Sequence, residues 1–138
     1  MPRPITGRCL CGAIQYSSTA EPMMMGHCHC EDCRRSSGSG HSSHLALPEA
    51  GVAITGAPKG YARAADSGHV VTRFFCGTCG SALYSTNDAM PGMMFLRASS
   101  LDDLEVFKPQ MHVYAARAAS WDQPKEGLPV FDIMPPGM

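Results

Sequence analysis

Seven cysteines, at positions 9, 11, 28, 30, 33, 76 and 79, constrain this chain more than any other feature. An odd number cannot all pair within one chain, and neighbours two or three residues apart are poorly spaced for bridging to each other. The spacing therefore reads as chelation of metal rather than as a disulfide framework. All-thiolate ligand sets with no redox partner favour zinc over iron. Cys76-Gly77-Thr78-Cys79-Gly80 has the form of a zinc knuckle, in which two thiolates grip one tetrahedral ion and the glycines let backbone amides turn toward sulfur. Cys9-Leu10-Cys11-Gly12 supplies a second pair, because residues i and i+2 of an extended segment share a face. Cys9, Cys11, Cys76 and Cys79 are thus expected to close a structural zinc site. Redox-active thiols are the alternative for a lone C-x-x-C, but those sit in a βαβ context that this sequence lacks.

The segment His27-Cys28-His29-Cys30-Glu31-Asp32-Cys33-Arg34-Arg35 is different in kind. Strand alternation puts Cys28 and Cys30 on one face and His27 and His29 on the other, and a turn then returns Cys33 as a third thiolate. Three protein ligands with an exchangeable fourth position are the pattern of catalytic zinc. Three thiolates leave the ion with one net negative charge rather than two, which makes it a better Lewis acid and a better acceptor for one more thiolate. Arg34 and Arg35 follow directly and are candidates for holding a substrate carboxylate by bidentate contact. Against this stands a closed site in which His27, His41 or His44 supplies a fourth ligand and no chemistry follows. His29 reads as a packed or hydrogen-bonded histidine, and Glu31 and Asp32 as turn residues.

Two zinc ions suit the rest of the composition. A chain of 138 residues fits one domain, so residues 1–138 are read as a single zinc-binding unit, with aromatics at 7% supplying a thin core. Fourteen glycines and eleven prolines break the chain too often for long helices, and the fold class expected is mainly β, a compact domain with a short irregular C-terminal tail. Residues 69–75 form the clearest strand, with others expected from Ile5 up to the Cys9–Gly12 turn and at 13–16, 23–30, 41–47, 52–54, 81–84, 93–97 and 111–115. Residues 100–104 suggest a helical turn capped by Ser100, and residues 50–60 otherwise read as loop. A net charge of −1 offers no footprint for nucleic acid, and no apolar run approaches a membrane span. Without an apolar signal segment at the start, the expected location is cytoplasmic.

Taken together, Gly7-Arg8-Cys9-Leu10-Cys11-Gly12, Cys28-His29-Cys30-Glu31-Asp32-Cys33-Arg34 and Phe75-Cys76-Gly77-Thr78-Cys79-Gly80-Ser81 resemble the ordered motifs of the glutathione-dependent formaldehyde-activating enzymes, a family that includes the centromere protein V relatives. The resemblance spans about residues 7–131. It implies a β-sandwich-like fold with a structural zinc on Cys9, Cys11, Cys76 and Cys79 and a catalytic zinc on Cys28, Cys30 and Cys33. It also implies a carbon–sulfur lyase acting on S-hydroxymethyl thiol adducts, with a small thiol such as glutathione and formaldehyde as substrates. Two other functions remain open to the residues alone. Methionines at 23–25 and 90–94 suit a non-catalytic zinc module that binds a protein partner, and Cys28, Cys30 and Cys33 suit a thiol redox sensor.

Overall fold

The computed structural model describes residues 4–124 and 127–135. Strands β1 (Ile5–Arg8) and β2 (Gln15–Ser18) form an antiparallel pair around the Cys9–Cys11 turn. The other strands are β3 (Met24–Cys28), β4 (Ser42–Pro48), β5 (Val52–Thr55), β6 (Lys59–Ala64), β7 (Val70–Phe75), β8 (Ala82–Asn87), β9 (Met93–Arg97) and β10 (His112–Val113), with one helix, α1 (Glu31–Ser37). β5 joins β2 to make a three-stranded sheet in the order β1-β2-β5. The remaining strands make a seven-stranded sheet in the order β10-β3-β4-β9-β8-β7-β6, antiparallel except where β10 runs parallel to β3.

One apolar core lies between the two sheets. Ile5, Ile14 and Tyr16 face it from the small sheet, and Leu45, Leu47, Leu83, Met94 and Leu96 from the large one, all buried. The alternation in β1 and β2 explains this, since every second side chain points inward. Gly7 is required at its place: a Cβ there would lie 2.2 Å from the Tyr16 ring, whose hydroxyl hydrogen-bonds Ser100 Oγ at 2.6 Å. The fold is mainly β, as the residue pattern indicates, and sandwich-like, as the family resemblance implies. No helix of the described residues is long and apolar enough to cross a membrane.

Several local expectations differ from what is found. β6 is a full strand of six exposed residues paired to β7, and its lack of alternation hid it, because an edge strand in solvent carries no burial pattern. The segment after Cys30, which reads as a polar turn or one turn of helix, is helical and runs on as the seven-residue helix α1, ending at Gly38 in the left-handed region at φ +75°. Ser100 is not a helix cap. It closes a 3₁₀ turn (Ala98–Ser100) with its hydroxyl donating to the Arg97 carbonyl, and Asp103 caps the next turn (Leu104–Val106) instead. The expected strand at 111–115 shortens to His112–Val113 because Tyr114 turns left-handed at φ +54°. The tail is irregular over its described part, yet residues 129–133 run beside β10, with Phe131 N–H donating to His112 O and Tyr114 N–H to Ile133 O. Of the methionines, Met94 belongs to the core and Met23 lies exposed.

Candidate functional site

The cysteines gather into two clusters. Cys9 and Cys11 occupy the β1–β2 turn, Cys76 and Cys79 the β7–β8 turn, and their four sulfurs lie within 4.8 Å of one another. Zinc–sulfur bonds of about 2.3 Å place tetrahedral sulfurs about 3.8 Å apart. Cys9 and Cys11 Sγ are 3.6 Å apart and Cys11 and Cys76 Sγ 3.8 Å, so the cage already has the dimensions of such a site. Both turns fold alike. Cys9 N–H donates to Ile14 O and Cys76 N–H to Ser81 O, and each turn leaves through a left-handed glycine, Gly12 at φ +80° and Gly80 at φ +79°. The returning backbone then points amides at sulfur: Ile14 N–H donates to Cys9 Sγ and Thr78 N–H to Cys76 Sγ. The Ser81 hydroxyl, with the amides of Cys11 and Ser81, holds the Cys79 thiol down to about 5, so that sulfur is anionic at neutral pH. Leu10 N–H donates to Ser81 Oγ, locking one turn to the other.

The second cluster comes from one short stretch. β3 delivers Cys28, Cys30 stands at the N-cap of α1, and Cys33 sits one turn later, with all three sulfurs within 4.8 Å of one another. Cys30 Sγ accepts the Cys33 N–H at 3.3 Å, so the cap of the helix is itself a ligand candidate. The sulfurs share protons unevenly. Hydrogen bonds from Cys28 and Cys30 hold Cys33 well below its ordinary value, and the same contacts push Cys28 up. A divalent cation placed among them would displace the shared protons, which is how thiol sites take up zinc. The donor set and the spacing both fit that ion.

What surrounds the three sulfurs is cationic and polar. The register of β4 against β9 sets His44 opposite Arg97, and both face the cluster. His44 Nε2 lies 3.8 Å from Cys33 Sγ and takes a hydrogen bond from the Ser42 hydroxyl. Arg97 is 4% exposed; one of its terminal nitrogens donates to Ser36 Oγ at 3.0 Å, while its Nε is buried with no hydrogen-bond partner. Burial pushes the Arg97 guanidinium down from its ordinary value, and the negative sulfurs of Cys33, Cys28 and Cys30 oppose that. Tyr114, the one non-glycine residue with positive φ among the described residues, completes the surround: burial and the three sulfurs push its phenol up.

The other sequence candidates fall elsewhere. Arg35 pairs with Glu31 on the exposed face of α1 at 3.2 Å, and Arg34 is half-buried on the same helix. Asp32 meets Arg63 of β6 at 3.7 Å. His27 and His41 stand in a separate histidine group, with ring centroids 4.8 Å apart. His29 is fully buried and hydrogen-bonded to His112, as its place opposite the cysteines suggests. Sequence reasoning missed Arg97 and Tyr114. An arginine ending the apolar run Met93-Met94-Phe95-Leu96 was the available signal for the first, since a charge closing an apolar strand needs a partner.

Comparisons with known proteins find a family, a relative and a solved structure similar to this chain. The family described as glutathione-dependent formaldehyde-activating enzyme matches residues 4–117. A Halomonas elongata protein provisionally named as such an enzyme is 25% identical over 123 residues, covering 85% of this chain and 78% of its own length. A crystal structure of a Rhodobacter sphaeroides protein superposes with a TM-score of 0.56 at 21% identity, covering 70% of this chain and 87% of that one, and speaks to the fold alone.

Proposed function

This chain belongs to the glutathione-dependent formaldehyde-activating enzyme family, and from that premise we propose that it is a zinc-dependent carbon–sulfur lyase acting on S-hydroxymethyl thiol adducts. The observation that carries the reading is the cluster of Cys28, Cys30 and Cys33, which offers three sulfurs where its neighbour offers four. In this scheme Cys9, Cys11, Cys76 and Cys79 hold the structural ion, and residues 1–138 act as one zinc-binding domain.

A zinc ion held by Cys28, Cys30 and Cys33 would supply Lewis acidity that favours the thiolate form of a substrate thiol near neutral pH. The chain's own residues do the rest. Arg97 sets a fixed positive charge beside the sulfurs, favouring an incoming thiolate and, in the addition direction, the oxygen that gathers charge as sulfur attacks formaldehyde. The new bond joins sulfur to the aldehyde carbon, and the proton lost by the thiol ends on the aldehyde oxygen as the hydroxymethyl O–H. His44 is the candidate carrier of that proton, because its Nε2 already exchanges a hydrogen bond with Ser42 beside Cys33. Tyr114, whose phenol burial and the three sulfurs push up, is a second donor. Arg34 and Arg35 lie one residue and two residues beyond Cys33 and suit the carboxylates of a glutathione-like tripeptide. The small thiol is the proposed partner, and the interior of the cell, where such thiols are abundant and reduced, is the proposed setting.

Incubation with formaldehyde and a panel of thiols, glutathione among them, tests the reading. Adduct formation by the wild-type chain and background rates for Cys30→Ser are expected; equal rates for the two overturn it. One observation favours a second reading, a closed site with His44 as fourth ligand, namely its 3.8 Å approach to Cys33 Sγ. Loss of one metal equivalent in His44→Gln would select that alternative.

A further inference from the structure

The face of β3 opposite the cysteines carries a cluster that neither sulfur site uses. His29, from the link between Cys28 and Cys30, His41, from the approach to β4, and Asp122, from the tail, bring one donor atom each to within 4.8 Å of one another. We infer that His29, His41 and Asp122 form a third cation site, one that takes a divalent first-row transition metal through two imidazoles and a carboxylate.

Four features point to a ligand there. His29 is 0% exposed, yet its Nδ1 has no hydrogen-bond partner and is aimed at Asp122 Oδ2, 3.8 Å away. A buried imidazole nitrogen left unpaired is costly unless something fills the gap. Its other nitrogen is already fixed, with Nε2 hydrogen-bonded to His112 Nδ1 at 3.0 Å, the outer contact that orients a metal-binding histidine. The carboxylate is seated by shape: Gly40 is buried, and a Cβ there would fall 2.3 Å from Asp122 Oδ2, so only glycine lets Asp122 reach the two histidines. Finally, the site is reachable. His41 lines a cleft of ≈ 880 Å³, and its side chain is 26% exposed and that of Asp122 23%, so an ion can enter from that side.

Two histidines and one carboxylate with vacant positions suit zinc or ferrous iron better than calcium or magnesium, which prefer oxygen alone. His27 stacks on His112 at 4.8 Å and edges His41 at the same distance, so the site lies in a pocket walled by imidazole rings.

Cobalt(II) is the probe. Sulfur-bound cobalt shows intense thiolate charge-transfer bands, whereas cobalt on imidazole and carboxylate shows only weak ligand-field bands, so the sites are counted separately even if either sulfur cluster stays empty. The wild-type chain is expected to take up one equivalent without charge-transfer intensity. Asp122→Asn and His41→Gln are each expected to lower its affinity at least tenfold while leaving the thiolate bands unchanged. Gly40→Ala, which keeps all three donors, is expected to weaken it likewise. Should one variant lose the thiolate bands through misfolding, the other two give the reading. The absence of a weak-band equivalent in the wild type, or its retention at wild-type affinity in the variants that keep their thiolate bands, overturns the site and leaves the cluster as a tie for the tail.

Discussion

The two sulfur clusters differ in where their members come from and in what surrounds them. The four-sulfur cluster draws its members from turns of different sheets, with Cys11 and Cys76 separated by 65 residues, so an ion there cross-links β1–β2 to β7–β8. Closing a long loop removes much entropy from the unfolded chain, and its sulfurs are served by backbone amides and Ser81, which stabilise thiolates without offering anything to a substrate. The three-sulfur cluster lies within six consecutive residues and cross-links nothing distant. Its neighbours are side chains: Arg97, His44 and Tyr114. In the proposed scheme, sequence separation between ligands, rather than ligand type, separates the cluster that holds the fold from the one left for chemistry.

The contrast breaks most readily at the ligands. Cys76→Ser is expected to destabilise the chain by about 4 kcal/mol or more, whereas Cys30→Ser should cost less than about 1 kcal/mol and remove turnover; chemical denaturation of both variants beside an adduct-formation assay checks this. Similar destabilisation by the two substitutions would erase the distinction. Next in size is Arg97→Met, which keeps bulk and removes charge. A drop of about 100-fold in kcat/KM with metal content unchanged is expected, on the scale of losing one donor to a developing anion.

His44→Gln sharpens the comparison at the fourth position. With His44 acting through protons, metal analysis should give the wild-type stoichiometry while kcat falls roughly tenfold or more. Arg35→Ala is the smallest effect. Its pairing with Glu31 is an exposed i,i+4 contact, with Arg35 68% and Glu31 50% exposed, so stability should shift by less than about 0.5 kcal/mol in a thermal melt.

How much of this could be read beforehand follows from the same separation. Chelate spacing is local, so both cysteine groups and the placing of His27 and His29 on the other face from the sulfurs were legible in the residues themselves. The mainly-β class followed from frequent glycines and prolines and from short β-branched and aromatic runs such as 69–75, and its sandwich-like form from the family resemblance. Arg97 and His44 meet only through the register of β9 against β4, and Asp122 meets His29 and His41 only through the path of the tail. Those are long-range facts with no short pattern to announce them. β6 escaped for another reason: all six of its residues face solvent, and periodicity reports burial, not hydrogen bonding.

The central claim is that Cys28, Cys30 and Cys33 hold an ion with a free corner that takes a thiol. X-ray absorption at the zinc edge, on protein carrying two zinc equivalents, reads that corner directly. Four sulfurs at one ion and three at the other average to about 3.5 per zinc, and added glutathione should raise the average to about 4. An average that stays near 3.5 when thiol is added would contradict it.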